Sequence, residues 1–162
     1  MLLGEYNTGK TTLLRRMSAG APLEGGVATV VRDVALPDAK GRLETVQIKV
    51  NLVDTLGTER RAYSLAPSIV RGAHIIFLTF RPDKPESAQG LNAWLQLAKS
   101  TETEGRRYYI IRNSFDGTSP SPAVQPFDGE LSTFPVLEVN RETDVALLLD
   151  NCVKEAAVSG AF

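Results

Sequence analysis

The stretch "GEYNTGKTT" at residues 4–12 fits the pattern G-x-x-x-x-G-K-[ST]. Leu2 and Leu3 read as a strand stub before it, and a helical stretch follows over 11–19. A strand, a glycine loop and a helix start together suit phosphate. The loop's N–H groups converge on the anion and the helix adds the positive end of its dipole. Gly4, Glu5, Tyr6, Asn7, Thr8, Gly9, Lys10, Thr11 and Thr12 therefore form the candidate cradle. Lys10 would reach the β- and γ-phosphates, and the Thr11 hydroxyl would face Mg²⁺. Glu5, Tyr6 and Asn7 stand where a cramped loop favours small residues. A strand–helix turn that matches by coincidence is the plain alternative, and the flanking strand and helix weigh against it.

Outward from this loop, strands and helices alternate. Strands are expected at 30–36, 43–53, 74–80, 108–111 and 135–139, and helices at 86–100 and 143–157. Residues 21–28 read as a mobile loop around Gly25 and Gly26, 55–68 as a loop with a short helix, and 117–130 as a proline-rich irregular segment. The continuous apolar run from Ile75 to Phe80 marks a strand buried on both faces. The expected fold is α/β, a three-layer P-loop architecture with a mostly parallel sheet and helices on both faces. Ligands in such folds lie beyond the carboxyl ends of the strands.

Two further motifs end apolar strands, as the glycine loop does. Asp54-Thr55-Leu56-Gly57 places a carboxylate where it can hold Mg²⁺ opposite Thr11, with Gly57 near a γ-phosphate. Asn113-Ser114-Phe115-Asp116 supplies a carboxylate that can take two hydrogen bonds from guanine, which adenine cannot give. Each motif alone also fits a strand-ending turn.

Composition narrows the classes. The 162 residues suit one domain, expected to span 1–162. Eighteen basic residues against 19 acidic ones give no argument for nucleic acid or an anionic membrane. Cys152, the one cysteine, forms no internal disulfide. No apolar run approaches the roughly 20 residues of a membrane span. His74 reads as a structural histidine, Cys152 as buried and inert, and Trp94 as packing a helix onto the sheet. Glu102, Glu104, Arg106 and Arg107 read as a solvated helix end, and Glu5 as pointing outward.

The order of these motifs resembles the Ras-like small GTPases. Thr29 follows Lys10 by nineteen residues, the place of that family's switch threonine on Mg²⁺ and the γ-phosphate, and Asn113 follows Asp54 by fifty-nine. "ERR" at 59–61, "RGAH" at 71–74, "WLQLA" at 94–98 and "LEVNRE" at 137–142 are similar to Rab strings. The resemblance covers essentially the whole chain. It implies a guanine-nucleotide switch using GTP, GDP and Mg²⁺. Thr11, Thr29 and Asp54 would serve the metal. Lys10, Thr29, Gly57 and Thr58 would serve hydrolysis, and Asn113, Asp116, Asn140 and Arg141 the base. It also implies exchange factors, activating proteins and effectors engaging residues 22–35 and 56–70. The setting would be cytoplasmic, in vesicle trafficking, on endomembranes or at a cilium. Membrane attachment would require a lipidated tail beyond this sequence, which ends without a terminal cysteine, and the first strand looks about three residues short of the family's.

The departures set expectations of their own. Tyr6 stands where Ras has glycine, and Thr58 replaces the glutamine that orients the attacking water, so slow intrinsic hydrolysis is expected. Ser114 replaces the lysine of N-K-x-D, so a weaker grip on nucleotide is expected. The aromatic triad that Rabs show to effectors appears as Val34, Val53 and Ile69. A catalytically impaired scaffold of intraflagellar-transport type is the competing reading. A P-loop kinase or ATPase is a weaker third, because it leaves N-x-x-D unexplained.

Overall fold

Strands β1 (Leu2–Leu3), β4 (Ile75–Phe80), β5 (Arg107–Asn113) and β6 (Val136–Val139) form a parallel sheet in the order β1-β4-β5-β6. Strands β2 (Val27–Pro37) and β3 (Leu43–Val53) form an antiparallel hairpin. A parallel bridge between Leu2 and Asp54 joins that hairpin to the edge of β1. The helices are α1 (Lys10–Met17), α2 (Pro67–Val70), α3 (Pro85–Gln89), α4 (Leu91–Lys99) and α5 (Val145–Val158), with a 3₁₀ turn at Gly129–Thr133. This computed structural model describes residues 1–55, 67–101, 103–114 and 127–161.

The parallel strands read as unbroken apolar runs because both faces are covered. Successive side chains alternate between the faces. Leu2, Phe77, Tyr109 and Ile111 pack with Leu13, Leu14 and Met17 of α1 and Leu149, Cys152 and Val153 of α5. Leu3, Ile76, Leu78, Phe80, Tyr108 and Ile110 pack with Val70, Leu91, Trp94, Leu95 and Ala98 on the other side. Each fully buried large apolar side chain contributes about 1.5–3 kcal/mol, so the two clusters explain why α1 with α5 and α2 with α4 take opposite faces. The expected three-layer α/β architecture is the observed one.

Several boundaries differ from the sequence reading. β2 begins at Val27, inside the expected loop. Glu24 and Val27 exchange backbone hydrogen bonds around Gly25 and Gly26, whose φ angles of 56° and 81° make a primed turn. That turn delivers Val27 directly into register with Val53. The helix expected over 86–100 is two helices, α3 and α4, meeting at Gly90. The last helix starts two residues late because Asp144 caps it, its side chain accepting from the N–H groups of Ala146 and Leu147.

Arg106 corrects the expected solvated helix end, although Glu104 and Arg107 are exposed. Arg106 is buried. Its guanidinium donates to the carbonyls of Ala73 (2.7 Å), Ala98 (2.6 Å), Thr101 (2.9 Å) and Val70 (3.1 Å) and to the Thr103 hydroxyl (3.2 Å). It thus caps the carboxyl ends of α2 and α4 together, where the helix dipoles favour a cation. His74 is exposed, at the amino end of β4 and so opposite the strand ends that carry the motifs. Glu102 lies outside the described residues.

Candidate functional site

The glycine loop runs from the end of β1 into α1, and Gly4, Asn7 and Gly9 each have a backbone reason. Gly4 sits at φ +146°, and a Cβ there would lie 2.2 Å from the Thr79 carbonyl oxygen of β4. Asn7, at φ 60°, occupies the left-handed region that Asn tolerates better than most residues. Gly9, at φ 84°, is the N-cap that turns the chain into α1. The first turn of α1 contains no acidic residue, and its leading N–H groups have no acceptor within the helix. This is the arrangement that binds phosphate at a helix start.

Inside the loop, Lys10 is buried and donates from Nζ to the carbonyls of Gly4 (2.9 Å) and Glu5 (2.8 Å). The Thr8 hydroxyl donates to the same Glu5 carbonyl at 2.9 Å. Thr8 is in turn held from the far side, its carbonyl accepting from Asn113 Nδ2 at 2.8 Å. Asn113 therefore braces the loop besides standing at the candidate base site. Tyr6 is 66% exposed, and Thr12 is exposed on the first turn of α1.

Asp54 reaches the loop from the end of β3. Its N–H donates to the Gly26 carbonyl at 2.8 Å and it bridges to Leu2, so the turn before β2 and the strand β1 fix it from either side. Its Oδ2 accepts from the Thr11 hydroxyl at 2.6 Å, while its buried Oδ1 has no hydrogen-bond partner among the described residues. A buried carboxylate oxygen left so is costly unless a cation or donor meets it. The pair fits Mg²⁺, which prefers one or two protein oxygens and completes its shell with water and phosphate.

The other expected site residues divide. Thr29 is not in a loop: it lies in β2, exposed, with its hydroxyl donating to Asn51 Oδ1 across the ladder at 2.9 Å. The structure does not bring it to the Thr11–Asp54 pair, because the primed turn at Gly25 and Gly26 starts the strand before it. Asn140 and Arg141 do lie beyond β6, beside α1. Asn140 Oδ1 accepts from the N–H groups of Glu142 and Thr143, closing its own turn. Ser114 adjoins them, its N–H donating to the Val139 carbonyl at 2.7 Å. Gly57, Thr58 and Asp116 lie outside the described residues.

One contributor escaped the sequence reading. The Arg16 guanidinium donates to the carbonyls of Asn140 (2.9 Å), Arg141 (3.1 Å) and Thr143 (2.5 Å), tying the candidate base loop to α1. Nothing in its sequence context distinguishes Arg16 from an ordinary helix-end arginine. Glu5 corrects an expectation: it does not point outward, and its Oε1 accepts from Trp94 Nε1 at 3.1 Å. Trp94 packs α4 against the sheet as expected, 1% exposed.

A parallel sheet with a glycine loop, a threonine–aspartate pair and an asparagine brace at its carboxyl edge defines a Ras-like GTPase domain. Residues 1–116 match the family described as Ras of Complex, Roc, domain of DAPkinase. The chain is 29% identical over 144 residues to Ras-related protein RABD2c of Arabidopsis thaliana, covering 86% of this chain and 69% of that protein. Ras-related protein RABD2b of the same plant matches to the same extent. Ras-related protein Rab-26 of Rattus norvegicus is 29% identical over 132 residues, 80% of this chain and 49% of that protein. The chain belongs to this Ras-like GTPase domain family, as a divergent, Rab-like member.

Proposed function

We propose that this protein is a guanine-nucleotide switch that binds GTP and GDP with Mg²⁺ and turns GTP over slowly. The observation that carries the reading is the Thr11–Asp54 pair with its partnerless Oδ1, set against the start of a helix that a glycine loop leaves open. Lys10 would move from the Gly4 and Glu5 carbonyls onto the β- and γ-phosphates. Thr11 and Asp54 would hold the metal, which neutralises phosphate charge. Asn113 would keep the loop braced while Asp116 selects guanine, with Asn140 and Arg141 bordering the base. Gly57 would meet the γ-phosphate.

Slow turnover follows from two residues. Thr58 lacks the amide that would orient an attacking water, and Tyr6 would stand at the approach to the γ-phosphate. Stabilisation from an activating partner is worth roughly 10³–10⁵ in rate, so turnover would depend on one. Thr29 would join the metal only if the start of β2 leaves its ladder, a change that would couple nucleotide state to residues 22–35. Exchange factors, activating proteins and effectors would read that segment and residues 56–70. The role this suggests is a peripheral one in intracellular trafficking.

The scaffold reading draws on one observation: the Thr29 hydroxyl is engaged by Asn51. Titration of labelled GTP and GDP with and without Mg²⁺, followed by single-turnover hydrolysis, separates the two. Micromolar or tighter Mg²⁺-dependent binding with slow turnover supports the switch. No binding at high micromolar nucleotide leaves the scaffold. ATP competing as well as GTP refutes guanine selection.

A further inference from the structure

Glu5 puts a carboxylate in the loop proposed to bind phosphate, where a free negative charge would oppose the ligand. The structure keeps that carboxylate in one place. Its Oε1 accepts from the buried Trp94 indole, and the Glu5 carbonyl accepts from both Lys10 and Thr8. Gly90, between α3 and α4, makes the room. A Cβ at position 90 would lie 2.5 Å from Glu5 Oε1, 2.9 Å from its Cγ and 3.0 Å from its Cδ. Gly90 itself has φ −70° and ψ −16°, ordinary helical values, so its backbone does not require glycine. The space does.

We propose that Glu5, Gly90 and Trp94 form a latch that sets the shape of the glycine loop, with Glu5 as a positioning residue. The indole N–H holds the carboxylate on the α3–α4 junction, and the Glu5 carbonyl then stands where Lys10 and Thr8 need it. The proposal deepens the nucleotide-switch reading and rests on it for its ligand, but the latch itself can be read without nucleotide. Trp94 is the chain's one tryptophan, so its emission reports the latch directly.

The test compares Glu5→Ala, Glu5→Gln, Gly90→Ala and the Glu5→Ala/Gly90→Ala pair in the full chain. Without nucleotide, Glu5→Ala and Gly90→Ala are expected to shift Trp94 emission, and Glu5→Gln, which keeps an acceptor oxygen, to leave it near wild type. With labelled GTP and Mg²⁺, the first two should bind about tenfold more weakly, the scale of one charge-assisted hydrogen bond, and Glu5→Gln should retain binding. Adding Gly90→Ala to Glu5→Ala should cost no further affinity and should raise the melting temperature, since alanine suits a helix better than glycine. Unchanged emission in both single variants, or losses that simply add in the pair, overturns the latch. If Glu5→Ala fails to fold, Gly90→Ala and Glu5→Gln carry the same decision. If the wild type binds no guanine nucleotide, the switch reading fails, and the emission series still decides the latch.

Discussion

Asp54 and Gly4 show how single residues at the site trade stability for function. Asp54 is buried with one carboxylate oxygen bonded to Thr11 and the other partnerless. Asp54→Asn removes a buried charge and retains an acceptor for the Thr11 hydroxyl. Without nucleotide it should melt at or above the wild-type temperature, while Mg²⁺-dependent nucleotide affinity falls at least about tenfold, by about 1.4 kcal/mol or more. Thermal melts and titrations with Mg²⁺ or EDTA check both halves, and equal affinity in the two would remove Asp54 from the metal site. Gly4→Ala should act oppositely. Its Cβ would meet backbone, not a side chain that can move, at a φ that L-residues rarely adopt. A loss of about 2 kcal/mol or more is expected in denaturant titration.

The loop residues were legible in the sequence because backbone chemistry imposes a fixed glycine spacing on a phosphate cradle. Glu5 was not. Its direction depends on a tryptophan 89 residues away and on the missing side chain of Gly90. Neither contact leaves a periodic trace.

Elements were read from periodicity, and periodicity failed where other forces decide. The apolar runs of β4 and β5 fixed their own assignment because burial on both faces allows little else. The start of β2 was missed because Val27 and Thr29 sit after a glycine pair that suits a loop equally well, and only pairing with β3 resolves it. The break at Gly90 was missed because the backbone there remains helical. Arg106 was misread because four of its five partners are backbone carbonyls, two of them more than thirty residues away, and a charged residue in a polar run gives no sign of that. Arg106→Ala should strip the carboxyl ends of α2 and α4 of their shared cap, costing about 3 kcal/mol or more. Arg106→Lys should recover only part of this, since an ammonium has three donors and no planar fork. Denaturant midpoints measure the loss, and faster amide exchange at Val70 and Ala73 would localise it. A cost below 1 kcal/mol would mean that α2 does not depend on this cap.

At the scale of the whole molecule, the core predicts a response to alkali. Burial in the α1–α5 layer pushes the Cys152 thiol up from 9.0 to about 12, with Glu155 adding to the shift. Tyr109, whose hydroxyl donates to Glu155 at 2.7 Å, moves in the same direction, chiefly through burial. The folded state keeps these protons after the unfolded chain has released them, so stability should fall as pH rises from about 9 towards 12. Denaturation midpoints at pH 8 and pH 10.5 test this, with Cys152→Ala expected to lessen the decline. The thiol should also resist a disulfide reagent at pH 8 until denaturant exposes it.

The hairpin is joined to the parallel sheet through the pairing of Leu2 with Asp54. Along β3, the edge turned towards β2 is bonded throughout, while its other edge meets β1 at that bridge alone among the described strands. In an isotope-labelling experiment β3 should therefore look like a comb, alternate amides holding their protons while their neighbours trade them with solvent. β5 should show no such teeth over Ile110–Arg112, where strands flank it on both sides. Any partner that lies along the open edge of β3 would announce itself by filling in the gaps of the comb.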